Sequence, residues 1–312
     1  MAKEILNSQI DLVSEHYVYK GSWIQLFRPL TLTGTLSPVL VGTAFAAKSG
    51  TIRLDIFLAI LMAALFIQSS TNVLNDYYDF KYGQDNDKWV LAHDAPNGHG
   101  PAHKTLPILA GTMITLSIII GLWLAFANSG STAWVITTGI LGILAGIKYS
   151  AGEHSFSSIG LGETTAFLFL GPVITTLAFI VQGNNINWQI LILSLPFALL
   201  IASMILTNNI RDLKKDIGFR KTLANLLGRT RAVYLLATLL SLAYITVFLL
   251  IIYHILPYSA LIVFLATPLA GRLILSYRKN AQRSEEIKGM ARAAKHHWVF
   301  GLLLVFAMWI IG

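Results

Sequence analysis

Apolar residues in this chain fall into long blocks broken by short polar stretches, with neither the two-residue alternation of a half-buried strand nor the polar stripe of a surface helix. Nine such blocks are legible, near Leu30–Ala47, Leu54–Asn75, Thr105–Ala127, Ala133–Tyr149, Ile159–Val181, Trp188–Asn208, Ala232–Tyr253, Leu256–Leu275 and Trp298–Ile310. Most approach the roughly 20 residues that a helix needs to cross a bilayer. Lipid offers backbone groups no partner, so the blocks are predicted as helices. The first and last are short, and tilt or local thinning of the bilayer accommodates them.

The polar stretches set an orientation. With the N-terminus on the cytoplasmic side, the outer loops carry only Lys48 and Arg53, and the loops 128–132, 182–187 and 254–257 carry no lysine or arginine. All other basic residues fall inside, including those of 211–231 and 272–295. Basic residues accumulate in cytoplasmic loops, so an odd number of spans with the N-terminus inside is expected.

Composition agrees with this reading. Hydrophobic residues make up 55% of the 312 positions and charged residues 12%, about half the roughly 25% usual in soluble domains. The expected fold is an all-α integral membrane protein with nine transmembrane helices and a cytoplasmic N-terminus. It is a single polytopic domain over residues 1–312, with 1–25 as a cytoplasmic segment. Residues 1–25 lack a signal-peptide layout, so the first span is expected to direct insertion. Cysteine is absent, which excludes disulfides, thiolate metal sites and cysteine nucleophiles. In a membrane protein the net charge of +8 reflects cytoplasmic loops, and no nucleic-acid partner or obligate protein partner is expected.

Two polar clusters carry the candidate chemistry. Asn72, Asn75, Asp76 and Asp79 recur at helical spacing and share one face if the second helix continues beyond the membrane surface; Asp85 and Asp87 follow. Asn208, Asp212 and Asp216 repeat the four-residue spacing at the end of the sixth block, beside Asn209. Carboxylates one turn apart lie about 6 Å apart along a helix and can chelate or bridge divalent cations. Hard oxygen ligands select Mg2+, which readily shares its shell with substrate phosphates. Arg211, Lys214, Lys215, Arg220 and Lys221 stand beside the second cluster as partners for phosphate oxygens. The ends of the second and sixth blocks, NVLNDYYD and NNIRDLKKD, are faintly alike and fall on the same side, as two related halves would place them.

The stretches FRPLTLTGTLSPVLVGT, NDYYDFKYGQD, YSAG with a later LGE, and NNIRDLKKDIGFRKTL resemble the UbiA superfamily of intramembrane prenyltransferases. Within it they are most similar to the 1,4-dihydroxy-2-naphthoate polyprenyltransferase branch of menaquinone synthesis. The resemblance implies nine transmembrane helices around a central cavity open to lipid, with a cytoplasm-facing site in the cell membrane, where Asp76, Asp79, Asp212 and Asp216, with Asp85, hold Mg2+ and a polyprenyl diphosphate. Asn72, Asn75 and Asn208 would line the pocket. The superfamily's first motif commonly has a third aspartate at the position of Gly83; here the next acid is Asp85, as in the naphthoate branch.

Further candidates are Arg28 at the first span's inner end, for diphosphate or as a snorkelling interfacial arginine, Tyr149, for the aromatic acceptor or as an interface anchor, and Glu163 as a partly buried acid. Gly142 and Gly146 form a small-xxx-small pair suited to close helix packing. His93, His99 and His103 read as solvated loop residues, and the tryptophans at 23, 134, 188 and 298 as interface anchors. The implied reaction joins the prenyl group to the naphthoate with loss of diphosphate and carbon dioxide, giving a demethylmenaquinol. Homogentisate or 4-hydroxybenzoate are alternative acceptors. A secondary transporter is the rival from another class, but the middles of all nine blocks lack Asp, Glu, Lys and Arg, where a transporter places its ionisable groups.

Overall fold

The nine apolar blocks fold as helices because that conformation pairs every backbone group within its own segment. The computed structural model describes residues 16–95, 99–152 and 154–310. The chain opens with strand β1 (Tyr17–Tyr19) and a one-turn helix α1 (Trp23–Leu26). There follow α2 (Thr33–Ala46), α3 (Leu54–Lys81), α4 (Leu106–Ala127), α5 (Thr132–Ser150), α6 (Gly162–Leu168) and α7 (Ile174–Ile180). Next come α8 (Trp188–Asp212), α9 (Leu223–Leu227), α10 (Arg229–Ile252), α11 (Thr267–Leu275), α12 (Arg283–Ile287) and α13 (Gly289–Ile310). Helices α6 and α7 form one rod interrupted by a π-turn at Phe169–Val173, which contains Pro172; a 3-10 segment, Tyr258–Ala266, leads into α11.

Seven of these rods are long and apolar enough to cross a membrane: α3, α4, α5, α6–α7, α8, α10 and the segment Tyr258–Leu275. The first block gives a 14-residue apolar helix, α2, and the last lies within the 22-residue α13. The protein is therefore a multi-pass helical membrane protein.

Helix α8 is the hub. Of its most apolar stretch 72% is buried, against 11% for α5. It packs on α2, α6, α10 and α13, and Phe197, Leu200, Ile201 and Met204 are fully enclosed. Backbones approach closely where glycine permits it. A Cβ on Gly171 would lie 2.4 Å from Ala198 Cβ, and one on Gly42 would lie 2.2 Å from the Thr175 carbonyl oxygen. Of the anticipated pair, Gly146 meets α3, where a Cβ would sit 2.6 Å from Thr71 Oγ1. Nothing lies within 4 Å of one on Gly142, so Gly142 opens space instead of closing it.

The connections sort cleanly to the two ends of the bundle. At one end Lys48 donates to the Ile255 carbonyl, Arg53 to Ala127, and Asn128 to Val181. At the other end Lys215 reaches Asp85, the Lys221 amide meets Ser158, and Arg283 meets Arg211. The basic loops thus share one end, as the charge pattern anticipates.

That end also carries structure that the hydropathy pattern does not reveal. Strand β1 pairs antiparallel with β2 (Trp89–Leu91), so residues 17–19 dock as part of a cap and the fold is not purely α; the rest of the anticipated N-terminal segment, residues 1–15, lies outside the described residues. Under this ribbon His103, 2% exposed, stacks on Tyr77 at 4.6 Å and packs edge-on to Trp89, while its Nε2 donates to the Tyr77 carbonyl. The solvated reading of the loop histidines therefore fails for His103, which anchors the cap; His93 and His99 are exposed.

Candidate active site

Helix α3 has 28 residues, about 42 Å at 1.5 Å per residue, and the hydrocarbon core is only about 30 Å thick. Its last turns therefore carry Asn75, Asp76 and Asp79 to one end of the bundle, beyond the hydrocarbon core. Gly83, at φ +81°, ends it. The Gly83 amide bonds the Phe80 carbonyl, and the Gln84 amide bonds that of Asp79. This is a Schellman motif, which needs a left-handed residue after the last helical turn. Asp85 is left-handed too, at φ +53°, and the two turns fold the chain back over the helix end.

The physical role of Gly83 follows. Instead of a third aspartate on the helix, a glycine turn brings the third acid in from the loop: Asp76, Asp79 and Asp85 present carboxylate oxygens within 4.8 Å of one another. Asp76 is 1% exposed. Its Oδ1 accepts from Arg28 Nη2 at 2.5 Å and Lys88 Nζ at 2.8 Å, while Oδ2 is buried without a hydrogen-bond partner. Three clustered carboxylates, one of them with an unsatisfied oxygen, fit a divalent cation such as Mg2+.

The second cluster meets the first across the bundle. Helix α8 ends at Asp212, so Asp216 is not helical as the spacing suggests. It occupies the next turn, held by its amide on the Asp212 carbonyl at 2.9 Å. Asp79 pairs with Arg220, and Lys215 with Asp85 at 2.5 Å. Arg211 grips Asp212 and Asn208. Burial and the nearby carboxylates of Asp212, Asp85 and Asp79 push the Asp216 carboxyl up to about 6, against the pull of Arg220. Asp85 goes the other way: burial raises it, but Lys88 and Lys215 outweigh that and hold its carboxyl well below the usual range. Asp212 and Asp216 line the same cavity as Asp79 and Asp85 without joining the three-carboxylate group.

That cavity has a volume of about 1220 Å³. Its polar mouth includes Arg28, Asn72, Asn75, Asn208, Arg211, Lys215 and Arg220, and its depth is apolar, with Ile60, Leu124, Ile143 and Leu177. Ile118 and Leu122 of α4 and Ile136 and Ile140 of α5 both line it and are exposed on the outer face, so it opens sideways between helices.

Each anticipated residue can now be located. Arg28, beside Asp76, has a left-handed backbone at φ +52° immediately before Pro29, a costly conformation of the kind found at functional sites. Asn72 lines the wall while donating to the Phe27 carbonyl and Thr31 Oγ1, which fixes the entry into α2. Tyr149 lines the cavity. Glu163 does not: it is 5% exposed, and its Oε1 accepts from Asn209 Nδ2 at 2.7 Å, so it braces the second cluster from behind. Lys221 is exposed outside the cavity, its amide bonded to the Ser158 carbonyl, and Lys214 is also exposed.

Two basic residues escape sequence reasoning. Lys88 bridges Asp76 and Asp85. Its position three residues after Asp85 is a signal only once the intervening turn is known. Arg283 lines the mouth from α12, with Nη2 3.9 Å from Asp212 and Nη1 bonded to Glu286. It stands about 60 residues beyond the end of the second motif, and no local pattern marks it.

Comparison with known proteins agrees with this geometry. A 1,4-dihydroxy-2-naphthoate octaprenyltransferase of Bacillus subtilis is 35% identical over 287 residues, covering 92% of this chain and 91% of that protein. One from Mycobacterium tuberculosis is 30% identical and covers 74% and 78%. Among solved structures, a UbiA homolog from Aeropyrum pernix superposes with a TM-score of 0.62 at 12% identity, covering 90% of this chain and 97% of that one. A UbiA homolog from Archaeoglobus fulgidus bound to GPP and Mg2+ gives 0.57 at 14%, covering 91% and 99%; both share the fold. Residues 35–299 match the UbiA prenyltransferase family, and with both aspartate motifs meeting over one cavity, the chain belongs to that family.

Proposed function

We propose that this protein transfers a polyprenyl group from an allylic polyprenyl diphosphate to 1,4-dihydroxy-2-naphthoate, releasing diphosphate and carbon dioxide and forming a demethylmenaquinol. The observation that carries the reaction type is the meeting of both aspartate clusters and their cations at the mouth of one apolar cavity. The acceptor rests on the naphthoate octaprenyltransferase relatives.

Asp76, Asp79 and Asp85 would hold Mg2+, joined by Asp212 and Asp216 from the facing cluster; the metal supplies Lewis-acid stabilisation of the departing diphosphate. Arg28, Lys88, Arg211, Lys215 and Arg220 bind phosphate oxygens and stabilise the charge that develops on the bridging oxygen. The allylic C–O bond breaks, and the apolar cavity keeps water from the carbon left electron-poor. The electron-rich ring carbon bearing the carboxylate forms the new C–C bond. The carboxylate then leaves as carbon dioxide, and its bonding electron pair restores the aromatic ring. Tyr149 stands on the cavity wall to orient the acceptor, and the isoprenoid tail leaves sideways past Ile118 and Ile140. The site faces the cytoplasm across nine spans, in keeping with the concentration of basic loops at its end.

Membranes containing the protein, a prenyl diphosphate and carboxyl-labelled naphthoate should release labelled carbon dioxide, and excess chelator should stop it. Label retained in the prenylated product, or turnover only with homogentisate or 4-hydroxybenzoate, would overturn the acceptor; undiminished turnover in chelator would overturn the metal.

A further inference from the structure

The same end of the bundle carries a second concavity, on the outer flank between α11 and α13. It is a groove of about 570 Å³, lined by Leu269, Arg272, Leu275, Arg278, Ala281, Glu285, Arg292 and Lys295. Four cations thus face one carboxylate. Among the described residues, Arg272, Arg278 and Lys295 have no carboxylate within ion-pairing distance. Arg292 is the fixed point: its Nη1 donates at 2.6 Å to Oγ of Ser276, which is 1% exposed, and its Nη2 pairs with Glu285 at 2.6 Å.

The four cations come from a helix end, a loop and the first turns of α13 to line one groove, three of them exposed to solvent, and a bound anion would offset their mutual repulsion. The groove also lies where the apolar segment Tyr258–Leu275 ends. Leu275 is 59% exposed beside the cations, and Leu265, at 70%, continues the apolar flank into the span. A phosphate in the groove would therefore have hydrocarbon directly above it. None of the four cations lines the catalytic cavity.

We propose that this groove binds the phosphate of an anionic bilayer phospholipid, with its acyl chains lying along Leu269 and Leu265. Basic pockets at the ends of membrane helices recognise such headgroups, at about 1 kcal/mol per lysine or arginine, a factor of roughly five in affinity for each. Glu285 is the internal competitor. It occupies Arg292 and also Lys288, at 3.0 Å, and repels the incoming phosphate.

Native mass spectrometry of the full chain in neutral detergent, with phosphatidylglycerol or phosphatidylcholine added, tests the site. The chain should retain phosphatidylglycerol preferentially. The combined change Arg272→Gln, Arg278→Gln and Lys295→Gln should weaken that retention on the order of a hundredfold, from the same per-residue factor, with the unfolding temperature unchanged because all three side chains are exposed. Glu285→Gln should strengthen retention, an outcome that loss of folding cannot mimic. Equal retention of the two lipids, undiminished binding by the triple variant, or displacement of the lipid by millimolar inorganic phosphate would overturn the proposal.

Discussion

Asp76 shows how much the surroundings of a single carboxylate decide. Its one bonded oxygen is shared by Arg28 and Lys88, and the other is buried without a partner, an arrangement that costs stability unless something offsets it. Asp212, by contrast, lines the cavity, gripped by Arg211 at 2.5 Å. Asp76→Asn and Asp212→Asn should each lower the prenyl-transfer rate by about 10²–10³-fold, the scale for one preorganised electrostatic contact. Rates measured in membranes at saturating prenyl diphosphate and Mg2+ check this. A tenfold or smaller loss in both would overturn their assignment to the metal and diphosphate site. Glu163 belongs to the same scale with a different task, since its bond to Asn209 ties α6 to the end of α8 without reaching the cavity.

Among the elements, the end of α3 is the informative one. Its helical spacing is visible in the sequence, and so is the glycine where a third acid is common. What that glycine accomplishes is visible only in the turn it makes. A Cβ on Gly83 would meet nothing within 4 Å, so any penalty of substitution comes from the left-handed backbone. Gly83→Ala should cost about 1 kcal/mol, the scale of an L-residue in that conformation, and should depress activity by loosening Asp85 from Asp76 and Asp79. Gly83→Asn, which tolerates the left-handed region, should retain most of both. Thermal unfolding and transfer rates of the two variants decide the point; indistinguishable behaviour would mean that the turn conformation is unimportant. The sixth block offers a contrast. Spacing extends its helix to Asp216, but the helix stops at Asp212, and a turn carries Asp216 to the cavity that Asp79 and Asp85 line.

Across the whole molecule the loops divide between two ends, and the basic ones share the end that bears both aspartate clusters. The absence of cysteine makes this testable without a background. Single cysteines at Ser284 and Asn185, both exposed, should react with a membrane-impermeant maleimide from opposite faces, Ser284 from the cytoplasm. Reaction of both from one face of sealed vesicles would refute the nine-span topology. The ends NVLNDYYD and NNIRDLKKD do face one cavity, the arrangement that two related halves would give.

The sequence by itself determined the medium, the helices and the residue types of the site. Bilayer insertion demands continuous apolar runs, and carboxylates at helical spacing are a local property of the chain. Tertiary structure alone decided which charges meet. Lys88 and Arg283 reach the mouth through turns and a short helix that carry no periodic signal, and Lys221 is turned away by the same loop that delivers Arg220. Burial of His103 depends on a ribbon formed by Tyr17–Tyr19 with Trp89–Leu91, partners about 70 residues apart. Hydropathy is summed along the chain, so it reads spans well; a charged site is assembled across the chain, and its members are fixed by distances that only the folded bundle sets.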